Sequence, residues 1–180
     1  MLGDYSYASM RELLYQDPPD GSGYQGLTQA DIDKMPVEIT SVYESLKQAL
    51  PASVEVEYAK GCDISTQDKA GFAQAIEVAK NADIALLVLG HKSGLGYDCT
   101  TGEFRDSTEL GLPGVQAELL EAILETGKPV VLVLINGRPL SIPSLIEASN
   151  AVLEAWVPGE EGAGAIVSAI LGEFSPGGKL

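Results

Sequence analysis

The chain has 180 residues, of which 45% are apolar and 21% charged. These values predict one globular domain, residues 1–180, with a sizeable core, and they exclude a disordered tail. Against 11 Lys and Arg stand 26 Asp and Glu, which gives a formal net charge of −15. Because this charge opposes contact with phosphate backbones and anionic lipid, we expect neither nucleic acid nor membrane surfaces as partners.

The sequence predicts neither a membrane span nor a metal site. Its longest apolar runs, 84–89 and 130–135, have six residues each, whereas a bilayer requires about 20. Residues 1–4 lack the cationic and apolar regions of a secretory signal, so the location stays open. Cys62 and Cys99 lie far apart and outside any CxxC or Cys/His pattern, which argues against a disulfide scaffold or a zinc site and favours a reducing compartment such as the cytoplasm.

The first half of the chain alternates between irregular and periodic segments. Residues 1–36 have no clean period and predict a long irregular segment, with one or two helical turns at 10–15. Helical spacing then predicts a surface helix with one buried stripe, carried by Ile39, Val42, Leu46 and Leu50. Alternation over 54–58 predicts a strand, and a second helix is predicted for 69–81.

The second half repeats strands and helices in strict alternation. Strands are predicted for 83–89, 129–135 and 151–156, and helices for 113–126, 144–148 and 160–174. Pro113 is expected at the start of its helix and Gly127 just beyond its end. The unbroken apolar strands predict an α/β fold, a three-layer αβα sandwich with a mostly parallel sheet and helices on both faces.

The segments after these strands are the candidates for function, because ligands of parallel sheets gather at the carboxyl ends of strands. The longest, 90–112, has 23 residues without an apolar period, and it contains His91, Lys92, Asp98, Glu103, Arg105, Asp106 and Glu109. Neighbouring charges could tune one of these carboxyl groups for proton transfer. A solvated, charged surface loop is the more common explanation of such a composition.

Other local signals are weaker. His91, the only histidine, is a candidate base or ligand, but without a second ligand a structural role is the commoner one. The sequence at 94–96 begins like a dinucleotide fingerprint but lacks the third glycine, so we predict no cofactor. Residues 136–139 are interpreted as a turn in which Asn136 and Arg138 make polar contacts. Residues 159–162 are interpreted as a turn that places acids at a helix N-terminus.

Several ordered motifs, taken together, resemble one family. They are TGEFRD at 101–106, LGLPGVQ at 110–116, GKPVVLV at 127–133, NGRPL at 136–140, EAWVPGEEG at 154–162 and SPGGKL at 175–180, with LGDYSY at 2–7 and AKGCD at 59–63. In sequence and spacing they closely resemble the second, α/β-sandwich domain of glycoside hydrolase family 3, which comprises β-glucosidases, β-xylosidases and related exo-acting enzymes. The match spans essentially the whole chain.

The resemblance implies a retaining glycosidase that acts on β-linked glucosides or xylosides without a cofactor. Its nucleophile would be an Asp on a preceding (β/α)8 barrel, and its acid/base, by motif position, would be Glu103. Retaining enzymes hold these two carboxyl groups about 5–5.5 Å apart. Arg105 and Asp106 would orient the acid or contact sugar hydroxyls. The same loop offers three further substrate-binding candidates, namely His91, Lys92 and Tyr97.

Two departures from the family pattern affect these expectations. Many relatives carry Arg directly after the motif aspartate, whereas here Ser107 follows Asp106. This chain also contains neither the barrel nor the short apolar strand that precedes the LGDYSY segment in relatives. We therefore expect the isolated chain to be inactive, and we expect an exposed sheet edge that a partner segment or a second copy fills. Whether the chain forms a homo-oligomer stays open, and the alternative function is a non-catalytic α/β module that binds a ligand or partner.

Overall fold

A computed structural model describes residues 39–94 and 99–178. Within these ranges, helices and strands follow one another as α1 Val42–Ala49, α2 Phe72–Asn81, β1 Ala85–Gly90, α3 Gln116–Leu124, β2 Val130–Ile135, α4 Pro143–Ala148, β3 Ala151–Glu154 and α5 Gly162–Ile170. The irregular segment predicted for 1–36, with its helical turns at 10–15, lies outside the described residues.

The strands form a parallel sheet in the order β1-β2-β3. Leu87 of β1 pairs with Leu132 of β2, which in turn pairs with Val152 of β3. Each strand reaches the next through a helix, α3 and then α4, as parallel neighbours require. The predicted parallel sheet is confirmed, and its carboxyl ends all meet at one edge.

The sheet lies between two layers of helices. Alternate side chains of β1 and β2 pack with α2, α3 and α4 into the larger core, which includes Leu87, Leu89, Leu120, Val130, Leu132 and Leu134. On the opposite face, Val133 and Ile135 pack against Ile166 of α5, with Val42 of α1 alongside. The predicted three-layer αβα sandwich with helices on both faces is therefore confirmed. No helix in the described part of the chain combines the length and apolar character needed to cross a membrane.

The strand predicted for 54–58 is wrong. This segment pairs with no strand among the described residues, and Val54 and Tyr58 are 46% and 61% exposed. Alternating side chains form a stable strand only beside a partner that completes the hydrogen bonds and covers the apolar face. Here the Tyr58 ring packs instead against Tyr43 of α1, with ring centroids 5.3 Å apart.

Three predicted element boundaries also need correction. The apolar stripe of α1 is half-buried, without a fully buried residue, and the helix begins after Ser41, which forms a capping box with Glu44. Pro113 does not start its helix, because Gly114 at φ +63° interrupts the helical backbone and α3 begins at Gln116. The strand predicted to reach Trp156 ends at Glu154, and Trp156 has a left-handed backbone with φ +52°.

Candidate functional site

Three loops meet at the carboxyl edge of the sheet, one after each strand. They comprise 91–94 and 99–115 after β1, 136–142 after β2 and 155–161 after β3. Residues of all three line a cavity of about 600 Å³, namely Ser93, Thr101, Gly102, Asp106, Gly137, Arg138 and Val157. The cavity is shallow and wide open to solvent, and its location is where parallel sheets bind ligands. The candidate site therefore lies at the carboxyl edge of the sheet, where the sequence analysis placed the candidate loops.

The loop after β1 is folded back on itself by backbone contacts. Ser93 and Thr101 form a parallel bridge. The carbonyl oxygen of Lys92 accepts from the N–H groups of Thr100 and Thr101 at 2.9 and 3.2 Å, and the N–H of Lys92 donates to Thr100 Oγ1 at 3.1 Å. These bonds hold residues 92–94 beside residues 99–101. They bring the following turn, which contains Glu103, to the rim of the cavity.

Glu103 lies in a tight turn closed by a hydrogen bond from the Arg105 N–H to the Gly102 carbonyl at 3.2 Å. The intervening Phe104 has φ +60° and is 84% exposed. A left-handed backbone at a residue other than glycine costs about 1–3 kcal/mol and is often found at functional sites. Glu103 is exposed, and its neighbour Gly102 lines the cavity. The Glu103 side chain is not itself part of the cavity lining, whereas its neighbours Gly102 and Asp106 are.

The charged residues that follow Glu103 have different environments. Asp106 is exposed and lines the cavity. Arg105 is half-buried, and its Nη1 donates to the Phe104 carbonyl at 3.1 Å. Its own carbonyl oxygen accepts a hydrogen bond from Nη2 of Arg138, in the loop after β2. The sequence predicted a role only for the Arg105 side chain. In the structure the Arg105 backbone carbonyl also accepts the hydrogen bond from Arg138.

His91 lies below the loop rather than in the cavity lining. It directly follows β1, is 6% exposed, and donates from its backbone N–H to the Ile135 carbonyl at 2.9 Å. Its side-chain Nδ1 is buried without a hydrogen-bond partner among the described residues. Burial lowers the pKa of His91 below 6.5, and the nearby Arg138 guanidinium lowers this pKa further. The imidazole is therefore neutral at pH 7.

The remaining candidates of this loop are only partly placed. Lys92 is half-buried beside the bridge of Ser93 and Thr101. Tyr97 lies outside the described residues, as do residues 95 and 96 of the segment that begins like a dinucleotide fingerprint. In the described ranges no group of three or more His, Cys, Asp or Glu residues is arranged to hold a metal ion.

Asn136 joins the loops after β2 and β3. It is 1% exposed, and its Nδ2 donates to the Arg138 carbonyl at 2.9 Å and contacts Glu154 Oε2 at 3.5 Å. Its backbone N–H donates to the Trp156 carbonyl at 3.1 Å. Glu154 Oε1 in turn accepts from the Trp156 N–H at 2.9 Å, which helps to hold the left-handed backbone there. Asn136 and Arg138 thus make the polar contacts expected of their turn.

Gln116 is a structural residue of the site that sequence reasoning missed. It is 3% exposed, and its Oε1 accepts from the Gly90 N–H at 2.7 Å. Its Nε2 donates to the carbonyls of Gly90 and Ile64, both at 2.8 Å. The available signal was its place as the last residue of the LGLPGVQ motif at 110–116, but its partners lie 26 and 52 residues away in sequence.

The fold and this edge define an α/β-sandwich domain with an acidic loop beside a cavity at the carboxyl ends of its strands. The family model described as "Glycosyl hydrolase family 3 C-terminal domain" matches residues 1–180. The chain belongs to that family, as its motifs indicated. Its relatives are therefore glycoside hydrolases.

Individual relatives are similar over most of this chain but extend far beyond it. A β-xylosidase of Formosa agariphila is 46% identical over 160 residues, which are 88% of this chain and 20% of that protein. A periplasmic β-glucosidase of Salmonella typhimurium is 32% identical over 78% of this chain and 20% of its own length. The crystal structure of a family 3 β-glucosidase from Bifidobacterium adolescentis superposes with a TM-score of 0.66 at 33% identity, over 78% of this chain and 20% of that one. The chain thus spans about a fifth of these relatives.

Proposed function

We propose that this chain is the acid/base-bearing, sugar-binding domain of a retaining, exo-acting β-glycosidase of the β-glucosidase or β-xylosidase type. The observation that supports the proposal is the place of Glu103 in the family motif at 101–106, directly after Gly102 and three residues before Asp106, both of which line the cavity. The nucleophile would be an aspartate on a (β/α)8 barrel domain outside this chain. β-Linked glucosides or xylosides would be the substrates.

The proposed chemistry has two steps. In the first, the barrel aspartate attacks the anomeric carbon while the Glu103 carboxyl gives its proton to the glycosidic oxygen, so that the bond to the leaving group breaks. In the second, the Glu103 carboxylate takes a proton from water, whose oxygen attacks the anomeric carbon and releases the aspartate. One residue serves as acid and then as base because its protonation state is reversed by the first step.

The other loop residues would bind or orient the substrate. Asp106, in the cavity lining, is placed to accept hydrogen bonds from sugar hydroxyls. Arg105, Lys92 and Tyr97 would contribute further polar contacts from the same loop. His91 is nearly buried, so any contact with a substrate would be limited to a small part of its side chain and would be made as a neutral imidazole.

The proposal requires a second domain for activity. A chain that holds one of two carboxyl groups cannot complete the double displacement, so the isolated chain should not hydrolyse glycosides. Detectable turnover by this chain alone would contradict the proposed division of the active site. Joining the chain to a family 3 barrel, by fusion or co-expression, should restore activity.

The deciding experiment compares Glu103→Gln with the unchanged sequence in that assembly, on aryl β-glucosides and β-xylosides with good and poor leaving groups. We expect the variant to lose about 10²–10⁴-fold on poor leaving groups, because they need protonation, and less on activated ones. Azide should restore turnover of activated substrates and give the β-glycosyl azide, since an anionic nucleophile needs no base.

Glu109→Gln is the matched control, because Glu109 is an exposed acid on the same loop. It should leave turnover and azide dependence unchanged. If Glu103→Gln behaves like this control in an active assembly, the acid/base lies elsewhere. The domain would then be the non-catalytic α/β module that binds a ligand or partner.

A further inference from the structure

The turn that carries Glu103 is attached to the rest of the domain through its backbone. The carbonyl of Arg105, two residues after Glu103, accepts from Nη2 of Arg138, and the two residues are 33 positions apart in sequence. The Arg105 N–H closes the turn onto the Gly102 carbonyl. A donor that fixes the Arg105 peptide therefore fixes the turn between Gly102 and Arg105, in which Glu103 lies.

Arg138 is in turn anchored to the buried part of the sheet edge through Asn136. Its carbonyl accepts from Nδ2 of Asn136, which is 1% exposed and which bonds through its backbone to Trp156, after β3. The guanidinium thus extends from a turn that is itself anchored in the core of the sheet edge. A side chain with an anchored base transmits position better than one on a mobile loop.

Two further contacts join the same pair of loops. A Cβ added to Gly137 would lie 3.0 Å from the Thr101 side chain, so the chain passes very close to Thr101 at this point. The Ser141 N–H donates to the Leu110 carbonyl at 2.7 Å. Along the segment 101–110, the Arg138 contact at Arg105 therefore lies between the close approach of Gly137 to Thr101 and the hydrogen bond from Ser141 to Leu110.

We propose that Arg138 is a positioning residue that clamps the Glu103 turn through the Arg105 carbonyl. The inference rests on the proposed acid/base role of Glu103 for its catalytic consequence, although the clamp itself does not. A charged donor to a carbonyl gives one of the stronger hydrogen bonds available to a loop. Displacing a catalytic group by about 1 Å costs on the order of 100-fold in rate.

The clamp is tested first in the chain itself, by amide hydrogen exchange. Arg138→Gln should accelerate exchange of the amides at 102–106 by about tenfold, because the turn opens more often when the charged donor is gone. Exchange in α3 should stay unchanged. Arg138→Lys keeps the charge but loses the planar fork, so it should give an intermediate result. Lys80→Gln, an exposed lysine on α2, controls for the loss of one positive charge.

The catalytic consequence is tested in the assembly with the barrel. Arg138→Gln should lower kcat about 10- to 100-fold with a much smaller change in KM. The loss should be greatest for poor leaving groups, whereas a merely destabilised protein would lose all substrates equally. Lys80→Gln should match the unchanged assembly.

The outcomes separate the clamp from the proposed function. Unchanged exchange at 102–106 in Arg138→Gln overturns the clamp, whatever the enzyme does. Faster exchange with unchanged kcat overturns the positioning role. Faster exchange in an assembly that tolerates Glu103→Gln shows that the clamp exists and that the acid/base proposal has failed.

Discussion

Replacement of Gln116 tests how the end of β1 is held below the candidate site. The N–H groups of Ala85, at the start of β1, and His91, directly after it, point towards β2 and donate to the carbonyls of Pro129, directly before β2, and Ile135, at its end. Because alternate residues of a strand point in opposite directions, the N–H and carbonyl of Gly90 point away from β2. The Gln116 side chain accepts a hydrogen bond from the Gly90 N–H and donates one to the Gly90 carbonyl. Its side-chain amide therefore takes the place of a neighbouring strand.

Gln116→Leu keeps the approximate size and removes every hydrogen bond of the side chain. The Gly90 N–H and the carbonyls of Gly90 and Ile64 lose their bonds of 2.7, 2.8 and 2.8 Å. At about 1 kcal/mol for each bond lost, the free energy of unfolding should fall by about 3 kcal/mol. For a domain of this size that corresponds to a melting temperature lower by about 6–12 °C.

Urea denaturation followed by far-UV circular dichroism measures this change from the midpoint at constant slope. Gln74→Leu is the matched control, because Gln74 is exposed on α2 and its replacement should change stability by less than about 0.5 kcal/mol. Gln116→Glu keeps the acceptor for Gly90 but turns an oxygen towards two carbonyls, so it should destabilise at least as much as leucine. A Gln116→Leu midpoint equal to that of the control would refute the assigned role.

Three other substitutions probe the same core and edge. Gly90→Ala should prevent folding, because its Cβ would lie 2.0 Å from a carbonyl oxygen of β2, whereas Gly111→Ala, with no atom within 4 Å, should fold normally by circular dichroism. Leu120→Ala, at a fully buried position, should lower the free energy of unfolding by about 2–5 kcal/mol, and Leu171→Ala on the surface far less. Because the pKa of His91 is lowered in the folded chain, unfolded chains bind more protons as the pH falls below about 6.5. Stability should therefore decline there, and His91→Gln, followed by urea midpoints at several pH values, should remove that part of the decline.

The sheet could be predicted from the sequence because its strands are buried on two faces. A run such as 130–135 has no polar side chain, and only a strand covered by helices on both sides accommodates it. The same reasoning gave the edge at which the loops meet, since parallel strands all end on one side. Local patterns were sufficient for both results.

The parts that sequence could not predict depend on contacts between distant residues. Alternation at 54–58 indicated a strand, but in the part of the chain that the structure describes no strand lies beside this segment to complete it. The role of Gln116 depends on a backbone group 26 residues away. The carbonyl of Arg105, likewise, has no signature of its own, because any residue supplies one. Composition could therefore name the charged groups of the loop but not the backbone contacts that hold it.

An exposed carboxyl group on a firmly held turn is what the proposed division of the active site requires. If the nucleophile is on a second domain, the face of Glu103 towards that domain and the substrate must stay open, so packing cannot hold the side chain from above. The backbone of the turn is held from the loop after β2, because Arg138 donates to the Arg105 carbonyl and the base of Arg138 is anchored by Asn136. Two carboxyl groups from separate domains can reach a separation of about 5–5.5 Å reproducibly only if each domain holds its own group in place before they meet.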